Sequence, residues 1–461
     1  MNLDAMVQRA KAAQKIYARF TQSEVDRITH AMVDAGAKAS RALAEMAVRE
    51  TQMGRADSKE LKNMFATRDL WNSMRGLPTC DVVHRDWERG IFEVASPVGV
   101  VAAVIPCTNP TSTALFKVLI AAKTRNAVVA SPHPRSQACI RESIRILREA
   151  AERAGAPEGL FLCLENPTLE DTQRLMTHEG VNLILATGGS GLVKAAYSSG
   201  KPAYGVGPGN VPVYIDSSAH LDQAAADLVE SQTFDWGTLC SSEQALVVHR
   251  SVAAGMLQSL QAAGAHMLEG EDARKMGRAI LKGQGINPAI VGQSPDKLAA
   301  LAGIRIPPRT NLLLARETGV GPDHPFSFEK LCPVLAWYEV GSWQEGCQLS
   351  IRLLEFGGLG HTLGIHANDQ VVIEAFALEK PVSRVIVNGP TSKGAVGVST
   401  HLEPSLTLGC GSMGSNISSD NIGPRHLINL RRVAWRRGQG PEIPEALDPR
   451  VRIVIGEERT S

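Results

Sequence analysis

GVVAAVIPCTNPTSTALFKVLIAAKTRNAVVAS, residues 99–131, decides the fold class. It opens on a β-branched apolar run, GVVAAVI (99–105), too short for a helix and apolar throughout, as a strand buried on both faces requires. Residues 111–123 then read as a helix, and NAVVAS (126–131) as a second strand. A helical crossover places the two strands side by side and parallel. The pattern repeats downstream through LFLCLE (160–165), VNLILAT (181–187) and VPVYI (211–215), with helices expected near 135–154, 168–179 and 219–232. This is a doubly wound α/β pattern of the nucleotide-binding kind, in which ligands collect at the carboxyl ends of the strands.

A second series follows residue 240: ALVVH (245–249), NLLLA (311–315), PVLAWYEV (333–340), HTLGIHA (361–367) and RVIVN (384–388). It predicts a second α/β domain over 233–400, after a first over 1–232 that begins with a helical lead-in (about 4–76). The glycine-rich TLGCGSMGSN (407–416) returns the chain, within 401–461, toward the first domain. HLINLRRVAW (426–435) and VVHRDWERGIFEVA (82–95) read as a projecting strand pair of the sort that adds to a neighbour's sheet, so a homodimer or homotetramer is expected. The last segment contains one further strand candidate, VRIVI (451–455).

Composition narrows the class. At 461 residues, with 44% hydrophobic and 21% charged residues, the chain reads as globular and of more than one domain. Lys plus Arg (48) balance Asp plus Glu (47), so no overall field favours nucleic acid or an anionic membrane surface. The apolar runs are strand-sized, and the N-terminus lacks the pattern of a secretory signal, which makes a cytoplasmic location the expectation. The eight cysteines are scattered without a CxxC pair or histidines at zinc spacing, so no metal site is expected.

Among them Cys240 has a distinctive context, FDWGTLCSSEQALVV (234–248), between a helix and a strand. A thiol there can point into the cleft between the two domains, where a thiolate would attack a carbonyl carbon. Asn109 follows a strand and precedes a helix; it either caps that helix or leans its amide over the cleft. ATGGSGLVKAA (186–196) puts Thr187, Gly188 and Gly189 where backbone can approach a cofactor phosphate at a helix N-terminus, although a tight turn explains it nearly as well. SPHPRSQ (131–137) brings Ser131, His133, Pro134 and Arg135 to the same edge.

FDWGTLCSSEQ, IPCTNPTST (105–113), AYSSGKPAYGVGPGN (196–210), EKLCPVL (329–335), GLGHTLGIH (358–366) and LTLGCGSMGSN (406–416) together resemble the signatures of CoA-acylating aldehyde dehydrogenases, in the family's order, from about residue 5 to 436. The resemblance implies the aldehyde dehydrogenase fold: a Rossmann-like cofactor domain, an α/β catalytic domain and the projecting oligomerisation strands. It implies Cys240 as nucleophile, Asn109 in the oxyanion site, and Glu329 and Pro333 beside a bound NAD or NADP, with coenzyme A as acyl acceptor. His361 then assists thiol attack or lines the CoA path, or is a core histidine. Trp236, Thr238, Ser241 and Thr111 are expected around the aldehyde; their polarity leans toward a small or anionic one.

Hydrolytic relatives carry a glutamate base that falls on Val206 here, which cannot activate water. The alternatives are a hydrolytic dehydrogenase using Glu243 as base, and a non-catalytic scaffold that retains the fold. The sequence leaves open the aldehyde, the choice of NAD or NADP, any microcompartment association and the role of the tail.

Overall fold

The computed structural model describes residues 2–438; VRIVI (451–455) lies outside them. The opening βαβ reading holds. Val100–Ile105 and Ala127–Pro132 pair in parallel, joined by the helix Pro110–Lys123, and every residue of both strands is buried. They belong to a five-stranded sheet in the order Phe161–Cys163, Ala127–Pro132, Val100–Ile105, Leu183–Thr187, Ala203–Val206. The order reverses at Val100–Ile105, where the crevice between diverging crossovers provides a ligand site. Helices Leu3–Tyr17 and Gln137–Arg153 pack on this sheet, and Gln22–Lys38 packs on Gln137–Arg153 and Pro110–Lys123; Val7, Tyr17, Ile28, Met32, Ile140 and Leu147 share the one core and are nearly inaccessible.

The second sheet has seven strands, all parallel, in the order Ala265–Leu268, Leu312–Arg316, Val334–Val340, Glu243–His249, Val211–Ile215, Gly360–His366, Val382–Val387. Here the expected boundary near 233 shifts. Val211–Ile215 pairs with Glu243–His249 and Gly360–His366, not with the first sheet, and the following helix Leu221–Thr233 packs Ala224 and Leu228 against Leu246 and Val248. A fully apolar run fits any buried parallel strand, so its sheet is set by long-range pairing that the run does not encode. Ala203–Val206, not expected as a strand, closes the first sheet instead.

Leu406, Leu408, Ile422 and Leu427 pack into the first core, so the glycine-rich return reaches it. The projecting sheet has three strands, not two. Residues 82–95 turn back at Gly90 (φ 60°), giving Asp81–Asp86 and Ile91–Pro97, and Ile428–Ala434 pairs antiparallel with the latter. Trp87 and Trp435 each meet Phe92 edge-on at 4.7 Å. Among the described residues, no helix is long and apolar enough to cross a membrane, and no cluster of ligating side chains could hold a metal ion.

Candidate active site

A cavity of about 540 Å³ opens where the first sheet's strand order reverses, at the carboxyl ends of Val100–Ile105 and Leu183–Thr187. Into it converge Asn109, Ser131, His133, Pro134, Thr187, Gly188, Gly189, Thr238, Cys240 and Glu329. Five other expected residues do not line it. Thr111 donates its hydroxyl to Asn63 Oδ1 (2.8 Å) inside the helical layer, and Ser241 donates to the Ser392 carbonyl (3.2 Å). Pro333 is buried at the head of the strand Val334–Val340. Trp236 lies half-buried under Arg55, whose guanidinium carbon is 5.2 Å from the ring centroid. His361 lies one layer behind the wall.

Cys240 projects from a tight segment between the helix Leu221–Thr233 and the strand Glu243–His249. Asp235, Trp236 and Gly237 are consecutively left-handed (φ 51°, 51° and 69°), a conformation costly for the first two, which persists only if the surroundings enforce it. Burial pushes the Cys240 thiol up to about 12, Glu329 and Cys410 add to the rise, and Arg384 works against it. The resting sulfur is therefore a thiol, and nucleophilic use requires positive charge or a base to be brought to it.

The enforcing group is Asp235, fully buried. Its carboxylate accepts from the Arg55 N–H (2.7 Å), Lys59 Nζ (2.9 Å), Thr238 Oγ1 (2.7 Å) and Lys62 Nζ. Both lysines come from one face of the helix Ala56–Met64 and are themselves buried. Lys59 also donates to the Thr108 carbonyl (2.9 Å), and Lys62 to Asn109 Oδ1 (2.5 Å). Asn109 thus occupies the N-cap position of the helix Pro110–Lys123 without capping it; its Nδ2 donates to the Thr238 carbonyl (3.2 Å) and Thr108 Oγ1 (3.3 Å). Burial pulls the Lys62 ammonium down to about 8 although Asp235 opposes the fall, while the two lysines outweigh burial and hold Asp235 below the ordinary carboxylate range. This cluster was absent from the sequence reading: KELKN reads as the wet face of a helix, and Asp235 lies 173 residues from Lys62.

The opposite wall is built from a loop and a carboxylate. Glu329 Oε1 accepts the Gly209 N–H (2.6 Å), yet burial raises its carboxyl to about 7. A Cβ on Gly209 would fall 1.8 Å from the Cys240 carbonyl oxygen and 3.4 Å from His361 Nδ1, so only glycine fits. His361 is fully buried; burial and Arg384 drive it down to about 3, so the ring is neutral. Its Nδ1 faces Thr362 Oγ1 (3.0 Å), and Nε2 has no hydrogen-bond partner among the described residues.

Thr187 Oγ1, on the cavity wall, is likewise buried without a partner among the described residues. Open space faces the Cα of Gly189, Gly191 and Gly207. Glycine backbone at the start of the helix Ser190–Tyr197, beside an unsatisfied hydroxyl, suits a nucleotide's phosphate and ribose oxygens. Val206 lines the cavity, and Glu329 is the one carboxylate to do so among the described residues. Glu243 does not; its Oε1 accepts the Thr391 N–H (2.9 Å). The arrangement offers a thiol and an oriented amide in a cavity with no Lys or Arg among the described residues of its lining.

A model of the aldehyde dehydrogenase family matches residues 1–297. The bifunctional aldehyde-alcohol dehydrogenase of Escherichia coli K12 is 43% identical over 439 residues, which cover 94% of this chain and 49% of that protein. The chain thus spans about half the length of that relative. The acetylating succinate-semialdehyde dehydrogenase of Clostridium kluyveri is 33% identical over 436 residues, covering 94% of this chain and 96% of that one. The crystal structure of an acetylating aldehyde dehydrogenase from Geobacillus thermoglucosidasius superposes with a TM-score of 0.93 at 50% identity, over 95% of this chain and 97% of that chain.

Proposed function

The chain belongs to the aldehyde dehydrogenase family, and from that premise we propose that it oxidises a short aldehyde to a thioester on Cys240 and passes the acyl group to coenzyme A. The observation that carries this reading is the convergence of Cys240, the Asn109 amide and Val206 on one cavity. Cys240 adds to the aldehyde carbon, forming the C–S bond of a hemithioacetal. The carbonyl oxygen takes up the electron pair and meets the Asn109 NH₂ and the Cys240 backbone N–H, as in other acyl-transfer sites. A nicotinamide nucleotide, when bound, supplies the hydride acceptor. Thr187, Gly188, Gly189, Ser131, His133 and Pro134 would hold it, with Glu329 at the ribose.

The thioester then needs a nucleophile. Val206 lies in the wall and Glu243 is engaged by Thr391, so among the described residues Glu329 is the one carboxylate on the lining that could act on water, and its Oε1 already accepts the Gly209 N–H. A thiol of the CoA type attacks without that help, and transthiolation regenerates Cys240. In this scheme His361, neutral and one layer behind the wall, backs Gly209 with its Nδ1 face, while its Nε2 has no partner among the described residues. The lack of a lining cation favours an uncharged aldehyde, since a carboxylate or sulfonate buried there would go unpaired.

In this reading the first unit holds the nucleotide and the second carries the thiol. The exposed edge strand Ile428–Ala434 supports a homodimer or homotetramer, and the location is cytoplasmic. The test is nucleotide reduction measured for a panel of neutral and anionic aldehydes, with NAD and NADP, with and without CoA. Full-rate reduction without CoA, giving the free acid, overturns the acyl-transfer reading.

A further inference from the structure

Two buried lysines beside a catalytic amide need a reason. Burying an ammonium is costly, and helix Ala56–Met64 buries two, with one carboxylate between them. Asp235 balances one; the cluster as drawn carries one excess positive charge. It is also bonded to a particular corner of the site. Lys59 holds the Thr108 carbonyl and Lys62 holds Asn109 Oδ1, so both cations brace the same strand-to-helix turn.

A lysine ammonium only donates, and an amide has one accepting end and one donating end. With Lys62 against it, Asn109 has one permissible flip: oxygen toward the lysine, NH₂ toward Thr238 and Thr108, both on the cavity lining and both held by long bonds of 3.2 and 3.3 Å. In the reverse flip the amide oxygen would face the developing oxyanion and repel it. The ammonium also draws electron density from the amide oxygen, which makes the NH₂ a stronger donor.

We propose that Lys62, pinned by Asp235, is a positioning residue that fixes the Asn109 amide for oxyanion stabilisation and sets a positive charge behind Cys240. This rests on the function proposed above. The groups facing Lys62 are Asp235, Lys59, Thr238, Asn109, the Phe234 ring and, by charge, Cys240; those facing Cys240 are Glu329, Cys410, Arg384 and, by the same charge interaction, Lys62. Removing Lys62 alone leaves the neutral pair Lys59–Asp235, so Lys62→Met is expected to fold.

A double-mutant cycle decides the point. Lys62→Met is expected to lower kcat about 100-fold, near the loss from Asn109→Ala, with KM for nucleotide and CoA unchanged. The double variant should fall within about threefold of Asn109→Ala alone, because Lys62 acts through that amide. Lys62→Gln, which keeps a donor, should recover part of the loss. Multiplicative losses in the cycle overturn the proposal.

A second readout needs no substrate. In Lys62→Met the pH midpoint for iodoacetamide alkylation of Cys240 should rise; if it stays put, the proposal is wrong. Should the wild type oxidise no aldehyde with CoA, the functional reading fails and the alkylation profile alone decides this one. If Lys62→Met does not fold, the cycle is run with Lys62→Gln, for which a smaller loss of the same non-additive form is required.

Discussion

The two walls of the cavity are built on opposite principles. Behind Asn109 and Thr238 every polar group is paired: Asp235 takes four donors, and each lysine has at least two acceptors. Across from it, glycines 189 and 207 face open space, and Thr187 Oγ1 and, one layer behind, His361 Nε2 lack a partner among the described residues. The first wall is held in place before anything binds, and its loosest bonds are the two that the Asn109 NH₂ makes, at 3.2 and 3.3 Å. The second has unused hydrogen-bonding capacity that incoming ligands can take up. Preorganisation and ligand capture are thus divided between helix Ala56–Met64 and the strand-to-helix turns of the first sheet.

The sharpest challenge to this contrast is the thiol between the walls. Cys240→Ala should reduce CoA-dependent nucleotide reduction at least about 10⁴-fold in steady-state assays, while nucleotide binding measured by calorimetry persists. On the completed wall, Asp235→Ala leaves two buried ammoniums without their counter-charge. A loss of about 3–5 kcal/mol in urea-unfolding stability is expected, well beyond the effect of a surface aspartate such as Asp272. Asn109→Ala, which leaves the ion cluster intact, should instead lower kcat by about 100- to 1,000-fold with a melting temperature close to wild type.

The ligand-facing wall should respond more mildly. Val206→Glu places a carboxylate where the structure has none, and free acid formed without CoA should rise above the wild-type background in a product assay. The smallest effect concerns Glu329, whose carboxyl is raised from 4.5 to about 7 by burial. The folded protein holds that proton more tightly than the unfolded chain, so this residue's contribution to stability is fullest below pH 4.5 and falls as pH rises toward 7. Glu329→Gln should remove that slope from urea midpoints measured between pH 4.5 and 7.5.

The same division governs what could be read beforehand. Strands such as Val100–Ile105 and Val334–Val340 are legible because burial on both faces demands unbroken apolar runs. Cys240, Asn109 and Glu329, each singled out by a motif, do reach one cavity. The sheet that Val211–Ile215 joins is not legible, since pairing partners are not written in the strand. Nor are Lys59 and Lys62: three residues apart on a polar helix, they look solvated until Asp235 arrives from far along the chain. FDWG drew attention to its tryptophan, whereas the buried aspartate beside it does the anchoring. A counter-ion that completes a network only in three dimensions could not be placed by pattern.

One small feature has mechanical consequences. The first sheet ends at Val206 and the second begins at Val211, so only residues 207–210 span this crossing. Within that span Gly209 rests its bare Cα against the Cys240 carbonyl while its N–H is tethered to Glu329. The position of Cys240 is thus tied through one glycine both to the seam between the sheets and to the Glu329 carboxylate.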